Sequence, residues 1–229
     1  MIGKRRNHIV SALAAVIMVT SLSAIPAARA QVTPPPAQPN RLTLPFVTHA
    51  AFFSQEGRRS PAVDPEIFVK DDAAAEGTSD QGIAHIAGLR TARVDDLREV
   101  VAYNAKGDSL GFTLDRWFGA SGTVDIDPQP NGSSRLTMSF QKLIAFGVYS
   151  IFRVSFAADG TTFRPIDGDG ATNSFTATVD GNANVVMSTP DALGHGNAIV
   201  LVLHSDSQEH GVSRGEIGVT AHQQLIVHL

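Results

Sequence analysis

The chain contains no cysteine among its 229 residues. That one absence excludes a disulfide framework, thiolate metal sites, a cysteine nucleophile and a lipid-anchored cysteine. Aromatic residues are scarce at the polar end of the scale, with one Trp and two Tyr, so the aromatic girdles of an outer-membrane barrel cannot be built. Charged residues make up 17%, below the roughly 25% of an average soluble protein. Glycine and proline, at 20 and 12 residues, are not in excess, and low-complexity disorder is excluded for most of the chain. The dinucleotide, P-loop, zincin, kinase and β-lactamase signatures are all missing.

What is present begins at the N-terminus. Lys4, Arg5 and Arg6 precede an apolar run from Ile9 to Ala24, which is shorter than the roughly 20 residues a membrane-spanning helix needs. Pro26 breaks the run, and Ala28-Arg29-Ala30 supplies the small residues of a signal-peptidase site. Residues 1–30 therefore read as an export signal cleaved after Ala30. The product is expected in the periplasm or the secreted fraction of a bacterial-type envelope, with no membrane insertion once the signal is gone. Four of the next nine residues are proline, so 31–45 reads as an extended tether. Removing the four cations of residues 1–30 from a total of 18 leaves 14 basic against 22 acidic residues, a formal charge of −8. Nucleic acid, whose phosphates require a basic patch, is an unsuitable partner for such a chain.

Residues 46–229 carry the periodicity of a single all-β domain. Leu136, Met138 and Phe140 alternate with polar neighbours, as do Phe175, Ala177 and Val179. Asn131-Gly132 marks a hairpin between 122–127 and 134–142, and Asp180-Gly181 marks another leading into Val185–Ser188. Gly147–Phe156 is mostly apolar, aromatic or β-branched. Asn197–His204 encloses Ala-Ile-Val-Leu-Val-Leu, which suits a central strand buried on both faces and contradicts the polar lumen of a barrel strand. Leu225, Val227 and Leu229 share a face of the last strand, and Val94–Tyr103 leans toward strand. One short helix is expected near 113–118, where Thr113 could cap a turn carrying Leu114, Trp117 and Phe118. The fold class is an antiparallel β-sandwich of Greek-key or jelly-roll type.

Three stretches could carry chemistry. Gly211-Val-Ser213-Arg-Gly215 matches G-x-S-x-G, but only Glu216 follows as an acid and no strand ends just before it, so a surface loop is the better reading. Asp167-Gly-Asp169-Gly has the composition of a calcium loop, yet the sixth position is Thr172 and the twelfth Thr178, where glycine and glutamate belong. An ordinary turn fits better. The third is a concentration of histidine: His195, His204, His210, His222 and His228 all fall in the last 35 residues. Pairing the last two strands antiparallel would bring His204, His210 and His222 to one end of the sheet. Asp206 or Glu209 could then act as a carboxylate ligand or as an imidazole acceptor. Zinc or copper would suit such a sulfur-free set. His195 would sit at the opposite end of its strand, and His228 about 20 Å from His222 at roughly 3.3 Å per residue.

The functional expectation is an exported, non-catalytic β-sandwich that holds a small ligand or envelope partner through its loops. The alternative is a zinc- or copper-binding protein or metalloenzyme using His204, His210 and His222.

Overall fold

The computed structural model describes residues 41–158 and 160–229. The expected signal and most of the tether lie outside the described residues. In chain order the elements are β1 (Leu42–Pro45), β2 (Val47–Thr48), α1 (His49–Glu56), β3 (Val63–Lys70), β4 (Gly77–Thr78), β5 (Ala84–His85), β6 (Leu89–Arg93), β7 (Val101–Tyr103), β8 (Ser109–Thr113) and α2 (Leu114–Phe118). They continue with β9 (Ser121–Pro128), β10 (Ser134–Gln141), β11 (Val148–Ala157), β12 (Gly160–Pro165), β13 (Ser174–Thr176), β14 (Ala183–Thr189), β15 (Asn197–His204) and β16 (Ala221–His228). The described residues are mostly β, in several antiparallel sheets packed together.

One sheet runs β1-β9-β10-β14 and a second runs β12-β11-β15-β16-β2, with β13 also on β11. A third runs β6-β3-β7-β8, and β4 and β5 form a short ribbon. The main core lies where side chains of the first two sheets meet. Val124, Ile126, Leu136, Met138 and Phe140 from the first join Tyr149, Ile151, Ile199, Leu201 and Leu225 from the second. Strand β10 shows why: its burial alternates strictly, Leu136, Met138 and Phe140 in and Thr137, Ser139 and Gln141 out.

Strand β15 lies between β11 and β16 and is buried from Ala198 to His204. Its residues divide between two cores. Ile199, Leu201 and Leu203 face the first sheet, whereas Ala198, Val200 and Val202 join Phe152, Val154 and Ile226 on the outer face. The central strand expected from the sequence is therefore present, and it pairs antiparallel with β16, Leu203 opposite His222 and His204 opposite Ala221. The Asn131-Gly132 hairpin is present too, with Ser134 opposite Pro128 and Gly132 at φ 86°.

Four local expectations are corrected. First, Leu42–Pro45, which the proline content assigns to the tether, form β1 on the edge of β9, Leu42 opposite Ile126. Edge position tolerates Pro45, whose missing N–H is not needed there. Second, α1 joins the expected α2. The Thr48 hydroxyl accepts from the Ala51 N–H at 3.2 Å, and Ala50 and Ser54 bury one side of the helix. Thr113 occupies the N-cap of α2, although its hydroxyl makes no capping bond. Third, most of Val94–Tyr103 is turn, and only Val101–Tyr103 is strand. There the Asp96 carboxylate grips the Arg90 guanidinium at 2.8 and 2.6 Å and the Arg93 N–H at 2.8 Å, which curls the chain. Fourth, Asp180-Gly181 makes a turn but not a hairpin. Strand β13 pairs with β11 and β14 with β10, so the turn carries the chain from one sheet to the other. Gly181 is required at this crossing, because at φ 73° an added Cβ would fall 2.3 Å from the Leu143 carbonyl oxygen.

Candidate ligand-binding site

The outer face of the second sheet is the floor of a cavity of about 710 Å³. Helix α1 contributes Phe52 and Phe53, β11 contributes Val154 and Phe156, β12 contributes Phe163, and β16 contributes Ile226. These walls follow from the second core, since the side chains that β15 and its neighbours turn away from the first sheet need a cover. Helix α1 and the 205–220 loop supply it, with Ile217 on the loop side.

The polar groups gather around Glu66. Strand β3 carries an irregularity in which Asp64 pairs with Ala92 and Phe68 with Thr91, leaving Pro65, Glu66 and Ile67 unpaired with β6. This bulge lets the Glu66 carboxyl reach β16, where it accepts from the Gln223 backbone N–H at 2.5 Å and from the Gln223 side-chain amide. His49 Nδ1 lies 3.8 Å from Glu66 Oε1, and His49 Nε2 lies 3.3 Å from the Gln81 side-chain nitrogen. One layer deeper, the Trp117 indole N–H donates to Asp64 at 2.7 Å, and the Glu66 N–H donates to the same carboxyl at 3.0 Å.

Burial sets the ionisation of this group. Glu66 is fully buried, and desolvation, helped by the neighbouring Asp64 charge, pushes its pKa up to about 8 against the two Gln223 donors. Asp64 is pushed up to about 6 by burial, with the Trp117 and backbone donors opposing. His49 is pushed down to about 3, mainly by burial and then by the positive Arg214. At neutral pH the floor thus holds a protonated carboxyl, a neutral imidazole and two carboxamides.

Arg214 is the cation of the cavity. Its guanidinium carbon stands 3.3 Å from the centroid of the Phe163 ring, a stacked cation–π geometry. It takes part in none of the ion pairs among the described residues. Burial lowers its pKa and Glu66 raises it, but a guanidinium remains charged. The site is therefore apolar walls around one half-buried positive charge, with hydrogen-bonding groups beside it and the exposed Glu56 on its lining.

The histidines are distributed as follows. His204 and His210 come together, ring centroids 4.8 Å apart, and Asp206 joins them with Oδ2 at 2.9 Å from His210 Nε2. His222 does not join. It is buried, its Nδ1 donates to the Glu66 carbonyl at 3.2 Å, and its Nε2 lies 3.3 Å from the Ser205 hydroxyl. Burial pushes both His204 and His222 down to about 4. His195 is exposed before β15, and His228 lines the cavity mouth near Phe52 and Phe156. The Asp167 carboxylate is occupied by its own loop, accepting from the Gly170 and Thr172 N–H groups at 2.8 and 2.6 Å. Ser213 Oγ likewise accepts from the Gly215 N–H at 3.1 Å.

His49, Glu66, Gln81, Arg214 and Gln223 escape a motif search because they come from five separate segments. The one local signal is Val-Asp-Pro-Glu-Ile-Phe-Val, two acids inside an apolar strand-like run. No family model matches the chain, and no curated protein matches it.

Proposed function

We propose that this domain is a binding module for a small apolar molecule ending in an acidic group, a carboxylate or sulfonate. The observation that carries this reading is Arg214, a half-buried guanidinium facing an apolar cavity with no carboxylate at ion-pair distance among the described residues. A volume of about 710 Å³ falls within the roughly 300–1,000 Å³ of small-molecule sites. Phenylalanine and isoleucine walls would take the apolar body, and Arg214 with the His49 and Gln81 side chains would orient the head. A charge-assisted bond from a guanidinium to a carboxylate is about twice as strong as a neutral one. The ligand would lie on the outer face of the sheet rather than among loop tips. We also propose that the domain works after export, on the strength of the Lys4–Arg6, Ile9–Ala24 and Ala28–Ala30 pattern. Protein recovered from outside the inner membrane should then begin at Gln31.

Calorimetry with dodecanoate and dodecanol at pH 7 tests the binding reading. Dodecanoate should bind one per chain and at least tenfold more tightly than the alcohol. Arg214→Met, which keeps an apolar stem against Phe163, should erase that difference. Equal affinity for acid and alcohol in the wild type, or no binding of either, would overturn the reading.

A further inference from the structure

The side chains behind His204 form a hydrogen-bonded chain whose direction can be read from its far end. The Asn173 amide nitrogen donates to the Ile151 carbonyl at 3.4 Å and the Gly211 carbonyl at 3.2 Å, so its Oδ1 is the free acceptor. Ser174 Oγ–H donates to that oxygen at 3.3 Å. With its one proton spent, Ser174 Oγ must accept from Ser150, 2.8 Å away. Ser150 Oγ must then accept from His204 Nε2–H, at 2.7 Å. A neutral imidazole has a single N–H, so His204 Nδ1 carries a bare lone pair. That nitrogen is buried and has no hydrogen-bond partner.

Beside it lie two more electron-pair donors. Ligand atoms of His204, Asp206 and His210 all fall within 4.8 Å of one another. His210 Nε2 and Asp206 Oδ2 stand 2.9 Å apart; with the His210 ring proton on Nδ1, its Nε2 presents a second lone pair beside the carboxylate. A buried lone pair with no donor is costly, and a second imidazole and a carboxylate at the same point call for a cation.

We infer that His204, through Nδ1, together with Asp206 and His210, forms a binding site for a divalent transition metal, with Zn²⁺ the fitting ion. Two imidazoles and one carboxylate are a three-ligand set of the kind that leaves a fourth position for water. Tetrahedral bonds of about 2.0–2.1 Å hold ligand atoms roughly 3.4 Å apart. The present spacing spans that value, and the Asp206 and His210 side chains, each about a quarter exposed, can close the remainder by rotation. The Ser150–Ser174–Asn173 chain supplies the outer hydrogen bonding that metal-bound imidazoles require, fixing both tautomer and ring angle. This set keeps two of the three histidines expected from the sequence and replaces His222, whose ring is held by Glu66 and Ser205, with Asp206.

Titration of the metal-free protein with ZnCl₂ by calorimetry, and with Co²⁺ followed by visible absorption, tests the inference. The wild type should bind one Zn²⁺ per chain at micromolar or lower Kd. Asp206→Ala and His210→Ala, both in a half-exposed loop, should each weaken binding at least tenfold while circular dichroism stays unchanged. Ser174→Ala, which leaves the ligands intact, should weaken it less. His195→Ala should have no effect. Absence of binding at 100 µM Zn²⁺, or undiminished binding in the Asp206→Ala and His210→Ala proteins, would overturn the assignment. Neither result bears on the cavity, whose test uses no metal.

Discussion

Replacing Glu66 with glutamine should reshape the pH dependence of stability in one direction only. The carboxyl titrates near 4.5 when unfolded and near 8 when folded, because burial and the Asp64 charge disfavour its ionised form. Between those values the folded protein holds a proton that the unfolded chain has released. Rising pH therefore favours unfolding, and this contribution is complete below pH 4.5 and lost by the time pH passes 8. Each pH unit in the window costs about 1.4 kcal/mol, so from pH 5 to pH 8 the wild type loses at most about 4 kcal/mol through this group. Glutamine keeps the shape of the protonated acid and has no proton to lose. Its Oε1 can accept from the Gln223 backbone N–H, and its amide nitrogen can donate to the Gln223 side chain if that amide turns over to present its oxygen. His49, His204 and His222, with pKa values pushed down to about 3, 4 and 4, add stability above pH 6.5 that is lost on acidification. These groups are common to both proteins. Asp64 also titrates in this window and couples to Glu66, so the stability difference between variant and wild type reports Glu66 together with that coupling. Urea unfolding at pH 5, 6, 7 and 8 should show the variant gaining on the wild type throughout, by up to about 2 M in midpoint for an m-value of about 2 kcal/mol/M. A difference that stays constant within about 1 kcal/mol across that range would refute a protonated buried Glu66.

Three further outcomes follow from the packing. Leu201→Asp should yield no soluble protein, because an unpaired carboxylate at a position 0% exposed costs several kcal/mol beyond the lost leucine; soluble, folded protein on gel filtration and circular dichroism would contradict it. Trp117→Phe removes the indole donor to Asp64 and should cost about 2–3 kcal/mol, more at pH 8 than at pH 5, since Asp64 then ionises with one donor fewer; urea midpoints at the two pH values check it. Gly132→Ala and Gly181→Ala both place alanine at positive φ, but only at Gly181 does the new Cβ strike a carbonyl, so Gly132→Ala should cost about 1–2 kcal/mol and Gly181→Ala at least twice as much by thermal unfolding.

How far the sequence reveals this molecule depends on whether the deciding contact is local. Leu136–Phe140 and Asn197–His204 declare their burial because a strand face or a two-sided strand writes itself as a two-residue period or an unbroken apolar run. The α1 signal was also local, Thr48 followed by His-Ala-Ala-Phe-Phe-Ser with Gly57 at the end, but it lay against the proline-rich segment and carries no strong apolar stripe. Phe175 and Val185 flank a turn that looks like a hairpin, and only the pairing of each strand with a distant partner decides otherwise. His204 closes β15 and His210 lies six residues beyond it, so the two were legible as neighbours. The engagement of His222 by Glu66, 156 residues earlier, was not. The same distance hides the cavity, since Arg214 reads as part of a glycine-bounded loop until Phe163 is placed under it.

The split allegiance of β15 makes the sandwich and the cavity one cooperative unit. Ile199 and Leu201 anchor one core while Val200 and Val202 anchor the other along the same eight-residue strand. The cavity floor cannot loosen locally without releasing the strand that holds the two sheets together, so partial unfolding offers no route for a ligand in or out. Traffic must pass through the cover, α1 and the 205–220 loop, whose removal leaves β15 paired on both edges. Amide hydrogen exchange would register this as two tiers: the β15 amides opening only with global unfolding, and the amides of the cover opening at lower free energy and slowing when the cavity fills.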